Sequence, residues 1–428
     1  MRKAVFAVLA LLQTLSAYAT DALPTVPQIS GVRVTGQPVL VFDHLKDKQE
    51  SNHLPDIAAG AWKRSDGVVC ITISHFENYR MCGRDIEHLT SDPKKILSSI
   101  STASDIVESH YNYHHWLSAP YTLDGRTIYA LVHSEWYACL LNDDCSKPSA
   151  VRSALSRNNQ LNSWVNAVTS FKSDDGGATW SPNGLNDAHV VAKEGLYWTG
   201  SAALSSGLYH KALNHTGLMT PSRLIKEGDY YYSIASLIHR DFTRLDSTTG
   251  QAKVDKYGYV LIRTADITRP SGWEAWSRDD VFSPIEKGRY NTYRPQKNGI
   301  TLNASQPQII YDTNAKVYVA IFPLHGDLGP IYFMTTSSLA NPLWSDAVEI
   351  NGTGTYKIDP RSLQINSACN KGFGASNYIS LIDSHSAGLN FEFTDGDPWL
   401  FYVVNPARCG GNNLARDMYR IQLVIDYK

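Results

Sequence analysis

Short apolar runs with alternating polar positions recur along this chain, separated by turn residues. No stretch keeps a sustained helical period, so the pattern predicts an all-β fold. Asp56 to Lys63 and Val68 to His75 make one strand pair, with Asn78 to Cys82 as a third strand. His115 to Leu123 and Thr127 to Trp136 make a second pair, followed by Val165 to Lys172 and His189 to Ala192. Thr220 to Lys226, Tyr230 to Ile238, Tyr257 to Thr264 and Trp273 to Ser277 make a third set. Ser305 to Tyr311, Val317 to Pro323, Ile331 to Thr336 and Ala347 to Ile350 make a fourth. Ala375 to Ile382, Trp399 to Asn405 and Met418 to Tyr427 make a fifth that lacks one strand. Val32 to Phe42 is strand-like and unassigned, and can supply it. The expectation is a five-bladed β-propeller closed by an N-terminal strand, because closure removes exposed sheet edges. Splitting the longest loops differently gives six or seven blades. Ser91 to Tyr113 is polar, with room for a short helix, and Asp143 to Ser163 reads as a rim loop.

The first residues refine this picture. Met1-Arg2-Lys3, an apolar run from Ala4 to Leu12 and Ala17-Tyr18-Ala19 predict a signal peptide over residues 1–19. The remainder, 20–428, is expected to be one β-propeller domain, secreted or periplasmic, with no later span for a membrane. With 39 basic and 41 acidic residues, nothing points to nucleic acid. Six cysteines suit disulfides in an oxidising compartment. Fifteen pairings are open; spacing favours Cys70–Cys82 across a hairpin, Cys139–Cys145 closing a loop, and Cys369–Cys409 as the remainder. No spacing matches a zinc site, and no metal or other cofactor is expected. Sequons at Asn214, Asn303 and Asn351 matter only where the source glycosylates.

The richest chemistry lies in the second set. Tyr113-His114-His115-Trp116 leads its first strand and Val132-His133-Ser134-Glu135-Trp136 ends its second. The turn Leu123-Asp124-Gly125-Arg126 folds the strands together, and alternation puts His133 and Glu135 on one face. Imidazole beside carboxylate suits acid/base work; a buried seam of histidines bonded to backbone is the plainer reading. Arg223 stands at the start of an apolar inner strand, where a guanidinium is costly unless paired. It can bind a sugar carboxylate bidentately, facing His133 and Glu135, or form an ion pair between blades. Tyr209 and His210 lie just upstream, and Trp116 offers an aromatic face. Gln306, Gln308, Ser376 and Asn377 suit sugar hydroxyls or are ordinary strand polarity. There is no G-x-S-x-G elbow, no H-E-x-x-H and no P-loop.

The octapeptide Ser173-Asp174-Asp175-Gly176-Gly177-Ala178-Thr179-Trp180 resembles the Asp box of sialidase-like propellers, matching S-x-D-x-G-x-T-W at every fixed position. An ordinary glycine-rich hairpin turn is the plainer alternative. Trp273 and Trp344 follow blade-edge segments similar to those of five-bladed sialidase-like and arabinanase-like glycoside hydrolases. That resemblance implies a carbohydrate substrate and an aspartate base near the start of the first blade, which Asp56 matches. Asp56 also suits turn capping after Pro55. The arginine triad and repeated boxes of sialidases are missing, and a third carboxylate has only Asp383 to offer. A second similarity, to propeller polysaccharide lyases, gives proton transfer to His114, His115, His133 or Tyr209 and uronate binding to Arg223. The expected function is glycoside hydrolysis, with a lyase and a non-catalytic glycan-binding propeller as alternatives.

Overall fold

The computed structural model describes residues 26–98, 111, 114–137, 163–193, 213–245, 252–276, 281–285, 306–323, 331–350, 375–405 and 412–428. All regular structure among them is β. The strands make four sheets of 4, 11, 5 and 5 strands, and the 11-stranded one spans two successive runs, which gives five groups in chain order. Group one runs Ala61–Lys63, Val69–Ser74, Glu77–Gly83 and Leu89–Ser91, and group two runs His114–Thr122, Ile128–Tyr137 and Ser163–Ser173 with short outer strands. Group three holds Leu213–Met219, Ile225–Glu227, Tyr230–Leu245, Ala252–Thr264 and Glu274–Trp276. Group four runs Gln308–Asp312, Val317–Pro323, Ile331–Thr336 and Val348–Glu349. Group five is Ala375–Ile382, Trp399–Asn405, Asp417–Tyr427 and, outermost, the N-terminal Ile29–Phe42. That last pairing is antiparallel, from Ile29 opposite Tyr427 to Phe42 opposite Met418.

Burial explains why this chain takes the shape it does. Val317, Val319 and Ile321 pack with Leu381 and Leu400 of group five. Their alternates Tyr318, Ala320 and Phe322 pack with Tyr232 and Leu261 of group three. Both faces of a middle strand are therefore dry, and its sequence is apolar throughout. The same alternation makes seams between groups one and two around Trp62 and Phe171, and between two and three around Leu131 and Val260. A fifth seam joins the last group to the first, through Phe401 and Met418 against Ile71 and Met81. These clusters link each group to the next and the last group to the first.

Groups two and three also share hydrogen bonds, where Leu213–Met219 runs parallel to Ser163–Ser173. Gly217 permits this approach, since a Cβ there would stand 2.2 Å from the Asn166 carbonyl oxygen. Cys70 and Cys82, opposite each other in the ladder, form a disulfide. The Cys139, Cys145, Cys369 and Cys409 pairings lie outside the described residues, as do the signal peptide, most of the expected helix and the Asp143 to Ser163 loop.

A feature absent from the strand pattern closes one end of the axis. Four successive residues between two strands of group five each bond a different group. The Leu389 carbonyl accepts from Lys63 N (2.7 Å) in group one. The Asn390 amide brackets the Thr122 backbone in group two, at 2.7 and 3.0 Å. The Phe391 carbonyl accepts from Arg223 Nη1 (2.5 Å) in group three, and that of Glu392 from Tyr311 N (2.9 Å) in group four. All these partners stand toward the ends of inner strands. The opposite end, where the inner strands begin, stays free of this segment.

Candidate functional site

Asp56 stands at that opposite end, its amide bonded to the Ser74 carbonyl (2.8 Å). Its carboxylate does not cap its own turn. Oδ1 accepts from the Tyr378 hydroxyl of group five (2.7 Å) and meets Nη1 of Arg416. Oδ2 accepts from Trp116 Nε1 of group two (3.2 Å) and faces His75 Nε2 at 3.3 Å. Polar side chains from three strand groups thus converge on one carboxylate. Burial pushes the His75 imidazole down to about 3, so it faces Asp56 uncharged.

The second group supplies the neighbouring surface. His114 lies opposite Glu135, and Trp116 opposite His133, across the hairpin. The next strand adds Asn166, opposite Glu135. Period-two geometry puts all five side chains on one face. The Trp116 and His133 rings stack at 4.9 Å. His133 Nε2 bonds Asn166 Oδ1 at 2.7 Å and stands 3.6 Å from Glu135 Oε1. His114 Nδ1 stands 3.7 Å from Glu135 Oε2, and its ring stacks on Phe76 at 3.9 Å. Burial holds His114 well below the usual histidine range, with His115 and His75 acting in the same direction. Glu135 is 1% exposed and sits one strand further from the axis than His114.

Among the predicted residues, Asp56, His114, Trp116, His133 and Glu135 therefore come together. His115 does not join them. It points to the other face, bonds Ser134 Oγ at 2.9 Å and packs on Phe171 in the seam with group one. Arg223 does not face His133 and Glu135 either. Its guanidinium is buried with Nη1 on the Phe391 carbonyl, and the negative charge of Glu392, also of the axial segment, favours its charged form. A guanidinium in an apolar strand needed a partner, and a loop far along the chain supplies it. Tyr209 lies outside the described residues; Asn377 pairs with Val403 in the ladder, next to Tyr378. Asp383 is absorbed by hydrogen bonds from Thr394 Oγ1 (2.6 Å) and the His385 amide (2.7 Å). Asp383, His385 and Asp395 have the donor types for a cation, as do Asp43, His44 and Asp417, but nothing beyond their proximity marks either cluster as a metal site.

His75, Tyr378, Arg416 and Asn166 were not predicted. Arg416 carried a signal, an arginine just before an apolar strand, the same signal that singled out Arg223. Tyr378 carried none, because its backbone is left-handed, at φ 55°. Thr220 (φ 48°) and Gln306 (φ 52°) share that conformation at matching points, two residues before Ser222 and Gln308 rejoin their ladders. Strain of this kind in non-glycine residues gathers at working sites.

No protein-family model matches this chain, and no curated protein does. Solved structures do. A family 117 glycoside hydrolase of the marine bacterium Zobellia galactanivorans is 9% identical, with a TM-score of 0.50 over 92% of this chain and 91% of that one. A β-xylosidase is 10% identical, at 0.44 over 91% and 94%. The endo-1,5-α-L-arabinanase of Thermotoga petrophila is 11% identical, at 0.44 over 91% and 73%. At such identity the likeness is one of fold, an all-β propeller architecture shared with glycoside hydrolases.

Proposed function

We propose that this protein is a glycoside hydrolase acting on a poly- or oligosaccharide, built as one five-bladed propeller closed by Ile29–Phe42. The observation that carries the reading is the Asp56 carboxylate, gripped at the end opposite the axial segment by Trp116 of group two and by Tyr378 and Arg416 of group five. A carboxylate so surrounded is suited to accept a proton from water or to attack an anomeric carbon. Glu135, with His114 and His133 beside it, is the partner that protonates the leaving oxygen. Phe76 and Tyr378, both part-exposed, add aromatic surface at that end against which a sugar ring can pack. The five cyclic seams support the blade count, and the Ser173 to Trp180 turn supports the Asp-box assignment: Asp175 accepts from Ala178 N, Thr179 N and Thr179 Oγ1. The Cys70–Cys82 bond supports export to an oxidising compartment.

A lyase needs a cation to neutralise a uronate. Arg223 is occupied by the axial segment and Arg416 by Asp56, so the described residues favour hydrolysis. The test is a panel of neutral and uronate-containing polysaccharides, assayed for reducing ends and for ultraviolet-absorbing unsaturated ends. New reducing ends without unsaturation, lost in Asp56→Asn, support hydrolysis. Unsaturated products establish a lyase; binding without cleavage of any glycan establishes a lectin-like protein.

A further inference from the structure

We propose that Arg416 is the positioning residue of this site, holding the Asp56 carboxylate in place and in its charged form through a guanidinium that Asn413 clamps. Only the activity readout of this proposal rests on the hydrolase reading. Arg416 is 6% exposed, and a buried guanidinium requires partners. Nε donates to the Asn413 carbonyl (3.0 Å) and Nη2 to Asn413 Oδ1 (2.9 Å). Asn405 Nδ2 donates to that same Oδ1 (3.0 Å), which fixes the Asn413 amide. With two of its nitrogens committed, the guanidinium presents Nη1 to Asp56 Oδ1. The plane of the Tyr378 ring lies below, 5.7 Å from the guanidinium carbon, and the Tyr378 hydroxyl shares Oδ1.

The groups that face Asp56 are His75, Trp116, Tyr378 and Arg416. His75 is held neutral by burial, and Trp116 and Tyr378 are neutral donors. Arg416 is therefore the full positive charge among them; burial pushes it down only to about 10, so it stays charged at neutral pH. A cation in contact favours the ionised carboxylate. The arrangement also ties the first strand group to the last, because Asn405 ends one strand of group five and Arg416 immediately precedes the next.

The experiment is a titration of the Asp56 carboxyl carbon by NMR, alongside pH profiles of kcat/KM. Arg416→Gln is expected to raise the Asp56 midpoint by roughly 1–3 units. The acid limb of the profile should move with it, and kcat should fall more than KM rises. Arg416→Lys should recover most of the midpoint. An Arg416→Gln variant that melts cooperatively and keeps the parent midpoint overturns the proposal. If Arg416→Gln does not fold, Asn413→Ala keeps the charge but removes the clamp: a raised midpoint supports the proposal and an unchanged one overturns it. If the parent cleaves no glycan yet the midpoint moves, the pairing stands and the hydrolase reading falls. If the parent cleaves and the midpoint does not move, the reverse holds.

Discussion

Asp56 and Glu135 differ in how the chain supports them, and the roles proposed for them rest on that difference. Asp56 takes donors on both oxygens, which favours charge; Glu135 is shut between two imidazoles one strand away from the axis. Glu135→Gln should therefore abolish glycan hydrolysis while the melting curve stays cooperative. His133→Ala should be the milder change, because His133 is anchored on Asn166 and stacked on Trp116; if it is the lethal one, proton transfer runs through the imidazole. A second residue makes a prediction about stability. His53 is fully buried, stacked on Tyr79 at 3.7 Å, and its Nδ1 accepts the Gln49 amide. Burial pushes its pKa from 6.5 down to about 4. The unfolded chain then binds the extra proton between those values, so stability is lost as pH falls from 6.5 toward 4, by about 1.4 kcal/mol per pH unit for this group. Denaturant melts across that range should show the slope, and His53→Gln should flatten it. The face shared by His133 and Glu135 was legible because strand period is two. The choice between His114 and His115 was not: it depends on the register across the hairpin, which adjacent residues in one run do not reveal. Arg223 misled because its partner, the Phe391 carbonyl, lies in a segment with no periodicity at all.

At the level of elements, the strands that the sequence announces are those buried on both faces or alternating against one seam. Val317–Pro323 and Ile331–Thr336 appear where the apolar runs put them. Phe393–Thr394, which pairs in parallel with Gln308–Asp312, has no such signature, since two residues cannot show a period. The Ser173–Trp180 turn was legible because its hydrogen bonds are local. It does more than reverse the chain, however. Trp62 of the neighbouring group donates to the Gly176 carbonyl at 3.2 Å, and a Cβ on Gly177 would stand 2.5 Å from the Trp62 ring. The turn is thus a docking element of the seam between groups one and two. Asp175→Ala removes an acceptor from two amides and two hydroxyls, at a cost of roughly 1–2 kcal/mol. Because Trp62 and Lys63 mark the end of the inner strand, away from Asp56, the variant should melt earlier with kcat unchanged. A fall in kcat without loss of stability would mean that the turn reaches the site.

Across the whole molecule, the inner strands carry different tasks at their two ends. They begin around Asp56, His114 and Tyr378, where charged and aromatic groups converge. They end on Leu389 to Glu392, which bonds four groups in turn while belonging to the fifth. Stability and chemistry should therefore separate by end. Asn390→Ala strips the Thr122 N–H and C=O of their partners, which costs roughly 2–5 kcal/mol at a buried position. Its melting temperature should drop while kcat and KM on a cleaved glycan stay at parental values below the melt. Asp56→Asn should do the opposite. It leaves the seams untouched but removes the counter-charge of the buried Arg416, which Asn413 still holds, so the fold should persist at a somewhat lower melting temperature as activity disappears. Calorimetry and a reducing-end assay on both variants decide the matter. If Asn390→Ala lowers kcat as much as it lowers stability, the axial segment and the Asp56 end are coupled through the inner strands, and the separation of tasks proposed for the two ends is wrong.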